Sequence, residues 1–534
     1  MKTNRNISQC EPVDVVVVGS GIAGSTMTAE LVEAGFQVLT LEGGPERSVD
    51  QMISSQIWSR RHKWSGPAIE SEGDLLSTVN FGLGWGTGGA GYHWYGNWFR
   101  FHENDFKEQS LYGKGLDWPI DYNELRPYYD RAQKDFGVSG DLSKEPWAPP
   151  ADDYPMRPLR QLPQSRAIKK GFDALGFPVS PNSLAINSRN YEGRNRCLYD
   201  GWCDAGCPIG ALANPLVLQW PRALRAGARL KHDAYVTRVT TDASGKKATG
   251  VEYRDAEGEL CFQPASIVIV AASAIPTVRL LLLSGNSAHT NGLANASGLL
   301  GQHYMTHPAI VIYGLFKERT KPHRGVAGAN ILSQHNYDDK QPSADAFGSR
   351  QWMGGQTAKV NDLLGIAGTR VDLYGSELDR FLRKATKHFG SMTALCEETS
   401  LVSNRIELDG SVSDQFGLPL AKIFNNIPAE NAARVELARE EGHAIFRAAN
   451  TTEVWHGDRI AIHEIGGTLM GDDPATSVTD SYGQTHDVEN LFVAGSSLFP
   501  TSGAVNPTAT LAALALRSVD YIIENRHSLI RLTD

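Results

Sequence analysis

The stretch that most constrains this chain lies near its start: Val13-Asp-Val-Val-Val-Val-Gly19-Ser-Gly21-Ile-Ala-Gly24, continuing to Val38-Leu-Thr-Leu-Glu42. Four consecutive valines, Val15 to Val18, read as a strand buried on both faces, since only a strand covered by helices dispenses with a polar side. Three glycines follow at the dinucleotide spacing. Gly19 permits the tight turn, Gly21 clears the backbone for a pyrophosphate, and Gly24 lets the next helix close on the sheet. Ala23, Met27, Leu31 and Ala34 recur at helical spacing, and Gly35 supplies the stop. Glu42, at the tip of the second strand, can accept hydrogen bonds from both hydroxyls of an adenosine ribose. Strand, turn, helix, strand and acid stand in register, so the reading is a βαβ dinucleotide site and not a chance glycine triplet.

The 534 residues, 53 of them glycine, are enough for roughly two to four domain-sized units. A net charge of −9 with no basic stripe argues against nucleic acid as a partner. No apolar run reaches about 18 residues, so no direct membrane span is expected. The polar start, Met1 to Cys10, reads as neither a signal peptide nor a twin-arginine leader. The expected location is the cytoplasm, or the periplasm by export with a leader-bearing partner subunit.

Further along, Phe81 to Arg100 is too glycine-rich for a helix or a central strand and interleaves aromatics with His93, as a backbone lying flat against a large group would. Asp117 to Phe136 reads as a turn and a capped helix, and Pro146 to Pro163 as an irregular excursion. Val236-Thr-Arg-Val and Ala248 to Tyr253 read as a hairpin turning at Gly245. Ser266 to Ser273 and Asn490 to Gly495 read as further buried strands of the first sheet, and Leu280 to Leu283 as the beginning of a helix interior. From His307 to Asn450 short strands alternate with turns, pointing to an antiparallel sheet. Asn506-Pro507-Thr508 opens a long final helix with proline at its first position. The fold class is α/β, α+β overall: a discontinuous Rossmann-like domain (1–50, 210–306 and 455–534), covering and cysteine-loop segments (51–209), and a substrate domain on an antiparallel sheet (307–454).

Three of the six cysteines share one loop, Cys197, Cys203 and Cys207, the last followed by proline. Three thiolates on a glycine-containing loop can hold iron, and Cys-Pro endings recur in iron–sulfur loops. Zinc wants a fourth ligand, for which only Asp204 is near, and a disulfide leaves one thiol over; reduced structural cysteines stand as the alternative to iron.

These pieces resemble the glucose-methanol-choline (GMC) flavoprotein family over nearly the whole chain. The resemblance rests on the fingerprint, the Gly88-Gly89 loop with Arg100 beyond it, Leu300-Gly-Gln-His303, His463-Glu-Ile-Gly-Gly-Thr-Leu-Met-Gly471, Leu491-Phe-Val-Ala-Gly495-Ser-Ser, and Asn506-Pro-Thr. It implies FAD, with the Val236 backbone at the adenine and Gly495 beside the diphosphate. Gly467 and Leu469 depart from the family's usual threonine and arginine. Gly88 to Trp94 is similar to the sugar-dehydrogenase and pyranose-oxidising branches, where the histidine matching His93 is in some members joined to the flavin; a packing role for His93 stands beside that reading. The cysteine loop resembles large subunits of sugar dehydrogenases, which implies a three-iron, four-sulfur cluster, a small chaperone-like subunit and a cytochrome c electron acceptor.

Oxidising an alcohol removes a hydroxyl proton and a hydride from one carbon, so the chain must supply a base. A histidine, ordinarily near pKa 6.5, is suited to it. His463 is assigned as base and Asn506 as the group orienting the substrate oxygen, with His456, His303 and His307 as competitors. Pro507 and Thr508 would set the positive end of a helix toward the negative charge of reduced flavin. The expected activity is oxidation of a sugar, glycoside or polyol. An oxygen-using oxidase and a non-redox flavin-dependent lyase are the alternatives.

Overall fold

The computed structural model describes residues 7–74 and 82–531; Phe81 and the first six residues of the polar N-terminus lie outside them. Val13–Val18 is a strand in which Val15, Val16 and Val17 are fully buried. Its side chains divide by alternation: Val15 and Val17 join one core with Met27, Leu31 and Val519, while Val16 and Val18 join another with Val268 and Val278. This two-sided burial is what removes the polar residues from the strand.

The strand runs parallel to Val38–Leu41 and to Leu260–Val270. Leu260–Val270 does double duty: its first half pairs antiparallel with Ala248–Arg254, and its second half runs parallel to both Val13–Val18 and Leu491–Val493. Tyr235–Thr241 completes the hairpin, with Gly245 at φ +76° in its turn. Helices Ile22–Glu33 and Thr508–Glu524 pack together over one face. Tyr122–Phe136 is capped by Asp121, which accepts from the Glu124 N–H at 3.0 Å while Glu124 accepts from the Asp121 N–H at 3.2 Å.

Two helix ends differ from expectation. Leu280–Leu283 closes a helix instead of opening one, because Ser273, at φ +72°, turns the chain directly out of the strand and Ala274–Leu283 is helical from there. Pro507 is the N-cap of Thr508–Glu524, one place before its first turn, and a short helix, Arg526–Arg531, follows.

The second sheet is antiparallel and built around Met305–Phe316, which pairs on one side with Phe389–Cys396. Its other edge is twelve residues long and takes two partners, Ile460–Ile465 against its start and Thr451–His456 against its end. The sequence boundary at 455 therefore cuts through this sheet: an unpaired edge of that length captures both strands, whatever domain the flanking chain serves. Arg350–Gly354, Ile331–Ser333 and Ser180–Pro181 extend it. Ile310, Ile312 and Trp352 face a core shared with helices Pro163–Ala174 and Ala429–Ala448, whereas Ala309, Met353 and Leu395 face the core of the first domain. The sheet is thus a roof over the nucleotide domain. Among the described residues no helix is long and apolar enough to cross a membrane.

Candidate active site

The glycines divide by what surrounds them. A Cβ at Gly24 would sit 2.1 Å from the Gly19 carbonyl oxygen, and one at Gly19 2.5 Å from that of Ala271, in a backbone at φ +102°. These two close the turn. Gly21 is open, its nearest neighbour the Gly88 carbonyl oxygen at 3.9 Å, which is the space a ligand backbone contact needs. Gly19, Gly21, Glu42, Gly89 and Val236 all line one cleft of about 990 Å³, counted to its open mouth. Gly88 borders it, donating its N–H to Ser20 Oγ at 3.0 Å from a left-handed conformation. Gly495 stands at the carboxyl end of the same sheet at φ +126°, with nothing within 4 Å of a Cβ, and Pro507 and Thr508 begin a helix with no side-chain cap. Gly495, Pro507 and Thr508 are outside the lining of that cleft.

Glu42 has a structural task the sequence reading did not include. Its Oε1 accepts from Gly44 N at 2.9 Å and Gly86 N at 3.2 Å, and its Oε2 from Ser20 N at 3.1 Å and Ser20 Oγ at 2.5 Å. It ties the strand tip to the glycine turn and to the glycine-rich loop.

His463 lies in a β-bulge. His307 pairs with Ile462 but Met305 pairs with Ile465, so His463 and Glu464 together oppose Thr306. His463 takes the left-handed conformation, φ +65°, and the bulge re-aims its ring out of the strand's alternation. The ring meets Asn506 Nδ2 at 3.2 Å through Nε2 and His307 Nδ1 at 2.9 Å through its own Nδ1. His307 Nε2 faces the carbonyl oxygens of Ser502 and Gly503 at 3.0 and 3.1 Å, so that nitrogen carries the proton. His307 Nδ1 is then the acceptor, His463 Nδ1 the donor, and His463 Nε2 holds a lone pair beside Asn506. Burial, reinforced by His307, holds the His463 pKa well below 6.5, and burial pushes His307 down to about 4 against the pull of the Ser502 carbonyl.

Of the other histidines, His456 pairs with His443 at 3.0 Å on an exposed strand end and His303 with Ser400 at 3.0 Å, both away from Asn506. Gly467 explains its departure from the family pattern: it sits at φ +102°, and a Cβ would come 2.7 Å from Val278 Cγ2.

His93 is buried, its Nδ1 3.4 Å from Lys63 Nζ and its Nε2 without a partner. Burial, then Lys63, holds its pKa well below 6.5. The neighbouring Tyr92 ring reaches the cysteine loop, where a Cβ on Gly206 would lie 2.9 Å from Tyr92 Cε2. Cys197, Cys203 and Cys207 share one apolar cluster with Leu184, Ile186 and Leu212. Each sulfur accepts a backbone N–H: Cys197 from Tyr199 at 3.3 Å, Cys203 from Ala327 at 3.5 Å, Cys207 from Leu212 at 3.3 Å. Burial pushes the Cys197 thiol up to about 12 and raises the other two. Tyr199 and Cys207 are both left-handed, at φ +57° and +52°. Among the described residues no group of three His, Cys, Asp or Glu side chains is placed to hold a metal ion.

A Rossmann-type nucleotide site is thus roofed by an antiparallel sheet that sets the His463 ring beside the Asn506 amide. Family models described as GMC oxidoreductase match residues 13–309 and 403–515. The chain is 30% identical over 539 residues to the fructose dehydrogenase large subunit of Gluconobacter japonicus, covering 96% of this chain and 98% of that one. It is 32% identical over 545 residues to the 2-methyl-1,2-propanediol dehydrogenase of Mycolicibacterium austroafricanum, covering 96% of each. Its fold matches a variant of the formate oxidase of Aspergillus oryzae with TM-score 0.67 at 14% identity, over 98% of this chain and 99% of that one. The chain belongs to the GMC oxidoreductase family.

Proposed function

We propose that this protein oxidises a CH–OH group of a sugar, glycoside or polyol to a carbonyl with FAD, and passes the electrons through an iron–sulfur cluster on the cysteine loop to a partner subunit. The observation that carries the catalytic part is the lone pair on His463 Nε2, held beside the Asn506 amide by a hydrogen-bond order that begins at the Ser502 and Gly503 carbonyls. Gly19, Gly21, Glu42, Gly88, Gly89 and Val236 would hold FAD, whose open space over Gly21 and Gly495 the chain leaves clear, and His93 Nε2 is a buried polar atom that a bound group can satisfy. FAD supplies the acceptor for the hydride. His463 Nε2 takes the hydroxyl proton, and His307 receives the Nδ1–H of the resulting imidazolium while Asn506 donates to the substrate oxygen.

The cluster reading is supported by three thiols that share one apolar packing cluster, each with an N–H aimed at sulfur, on a loop with two non-glycine residues in left-handed conformations. Thiolates of a cluster attach to separate irons, so they need not close around one ion. Tyr92 fills the space between the glycine-rich loop and Gly206. A partner is supported by the large-subunit name of the fructose dehydrogenase relative and by exposed Ile57 and Leu198 beside and on the cysteine loop.

The deciding measurement is the visible spectrum of the purified protein, recorded without oxygen before and after a panel of sugars and polyols. Bleaching of a flavin band by one of them is expected. Protein that neither carries nor takes up FAD overturns the proposal, FAD that no alcohol bleaches moves the reading to a lyase, and peroxide formation in air moves it to an oxidase.

Gly21→Val is expected to leave the fold intact and weaken FAD retention by at least about tenfold, since a Cβ there meets nothing nearer than the Gly88 carbonyl oxygen at 3.9 Å and the branched side chain enters the space over the turn. Gly24→Val instead meets the Gly19 carbonyl and should cost about 1–3 kcal/mol of stability or more. Thermal melting and flavin content of the two variants separate these effects.

A further inference from the structure

We infer that Gln351, steadied by Gln334, is a positioning residue for the reaction: it fixes which end of the Asn506 amide faces His463. The inference rests on the catalytic assignment of His463 and Asn506 above.

An asparagine amide presents a donor on one side and an acceptor on the other, and the two ends have almost the same shape, so packing alone does not choose between them. Only the Nδ2 end can donate to a substrate oxygen. With Oδ1 turned toward His463, two lone pairs would face each other and the substrate oxygen would lose its donor. Something must therefore hold Oδ1 on the far side.

Gln351 does this. Its Nε2 donates to Asn506 Oδ1 at 3.2 Å, and its Oε1 accepts from Gln334 Nε2 at 3.0 Å. Gln334 Oε1 in turn lies 3.2 Å from His102 Nε2, and His102 Nδ1 lies 3.0 Å from Asp338 Oδ1. Every link points the same way. Donation runs from the His102 ring through Gln334, Gln351 and Asn506 to His463 Nε2, then through His463 Nδ1 and His307 Nε2 to the Ser502 and Gly503 carbonyls. Both ring nitrogens of His102 face acceptors, and the link to Gln334 is made by Nε2. Around that ring, Asp338 is the exposed carboxylate, Tyr337 stacks on it at 4.0 Å, and Asp105 accepts the His102 backbone N–H at 2.8 Å.

The sheet explains why Gln351 is available. On Arg350–Gly354 the side chains alternate: Arg350 and Trp352 both reach Glu441 on the helix-covered face, and Gln351 points with Met353 toward the nucleotide domain. Gln351 is 0% exposed and Gln334 4%. Burial removes the water that would otherwise satisfy a flipped amide, so breaking the chain leaves an unpaired polar group and not a harmless rearrangement.

The test compares Gln351→Met with Gln351→Glu by stopped-flow reduction of the bound flavin under saturating alcohol, as the ratio to wild type at each pH. Gln351→Met is expected to lower the reduction rate about tenfold, the worth of one amide hydrogen bond, with a smaller change in the substrate concentration giving half-saturation. Gln351→Glu carries its own switch. Ionised, the carboxylate cannot donate to Asn506 Oδ1; protonated, its O–H can. Its ratio to wild type should therefore recover as pH falls from about 8 toward 5, the side on which a buried carboxyl gains its proton. The Met ratio should stay flat.

A residue that merely fills space gives no such recovery. Wild-type rates in both variants, or a Glu ratio independent of pH, overturn the inference. If Gln351→Met does not fold, Gln334→Met breaks the chain one residue away from Asn506 and should show the same flat loss, and wild-type rates there overturn it equally. His463→Ala is the control for the underlying assignment. If that variant is slow while the glutamine variants are fast, only the positioning role fails; if it is as fast as wild type, the catalytic assignment itself has failed.

Discussion

Replacing His463 by alanine is expected to slow reduction of the bound flavin by alcohol about 10²–10⁴-fold, the range for loss of a general base. That corresponds to roughly 2.7–5.4 kcal/mol of barrier at 1.36 kcal/mol per tenfold. Flavin content should hold, because His463 is not among the residues lining the nucleotide cleft. The pH dependence of the wild-type rate checks the same assignment from another side. A base works when unprotonated, so its contribution is present above its pKa and is lost as pH falls through it. Burial and His307 hold the His463 pKa well below 6.5, so the acid limb should lie well below the ordinary histidine range and the rate should not halve near pH 6.5. Single-turnover reduction across that range is the measurement. A limb at the ordinary histidine value, or near-normal reduction by His463→Ala, would assign the proton to another group.

Much of this site is legible in the sequence because it is made of local patterns. Val15 to Val18, the glycine spacing and Glu42 state a strand, a turn and a second strand within thirty positions, and each glycine that closes the turn does so against atoms of its own βαβ unit or of Ala271 beside it. The capped helix from Tyr122 is legible for the same reason, since Asp121 and Glu124 satisfy each other across one turn. What sequence reasoning misses is non-local. The bulge that re-aims His463 exists only because the register of Ile460–Ile465 slips against Met305–Phe316, a strand some 150 positions earlier, and nothing around residue 463 announces it. His307 is visible in the sequence as a candidate base, but its work as acceptor for His463 is set by the Ser502 and Gly503 carbonyls. Gln351 carries no motif at all; only the alternation of its strand and the closure of the roof bring it to Asn506. The pairing of Thr451–His456 with Met305–Phe316 is non-local in the same way, because membership of a sheet is decided by which edge is free and not by the composition of the joining strand.

On the proposed cluster reading, Cys203→Ser is expected to abolish iron binding and reduction of a one-electron, cytochrome-type acceptor while sparing reduction of the flavin by substrate. Flavin takes two electrons together and a haem partner takes one at a time, so a relay on the Cys197–Cys207 loop has a use only when such a partner exists. Cys203 is the thiol to change because it is buried and accepts the Ala327 N–H at 3.5 Å, between the loop and the chain that follows Gly325. Cys203→Ala divides the readings. If the three thiols only pack the cluster of Leu184, Ile186 and Leu212, alanine leaves the Ala327 N–H without its acceptor at about 1–3 kcal/mol and serine offers an oxygen in place of the sulfur; stability then changes and electron transfer does not. If the thiols hold iron, both substitutions remove a ligand, iron and acid-labile sulfide fall together in both, and the paramagnetic signal of the oxidised cluster disappears from both. Iron analysis of anaerobically prepared wild-type protein comes first. Its absence there, with acceptor reduction unchanged in Cys203→Ala, makes the loop structural and sends the electrons from flavin directly to their acceptor, with oxygen the first acceptor to test.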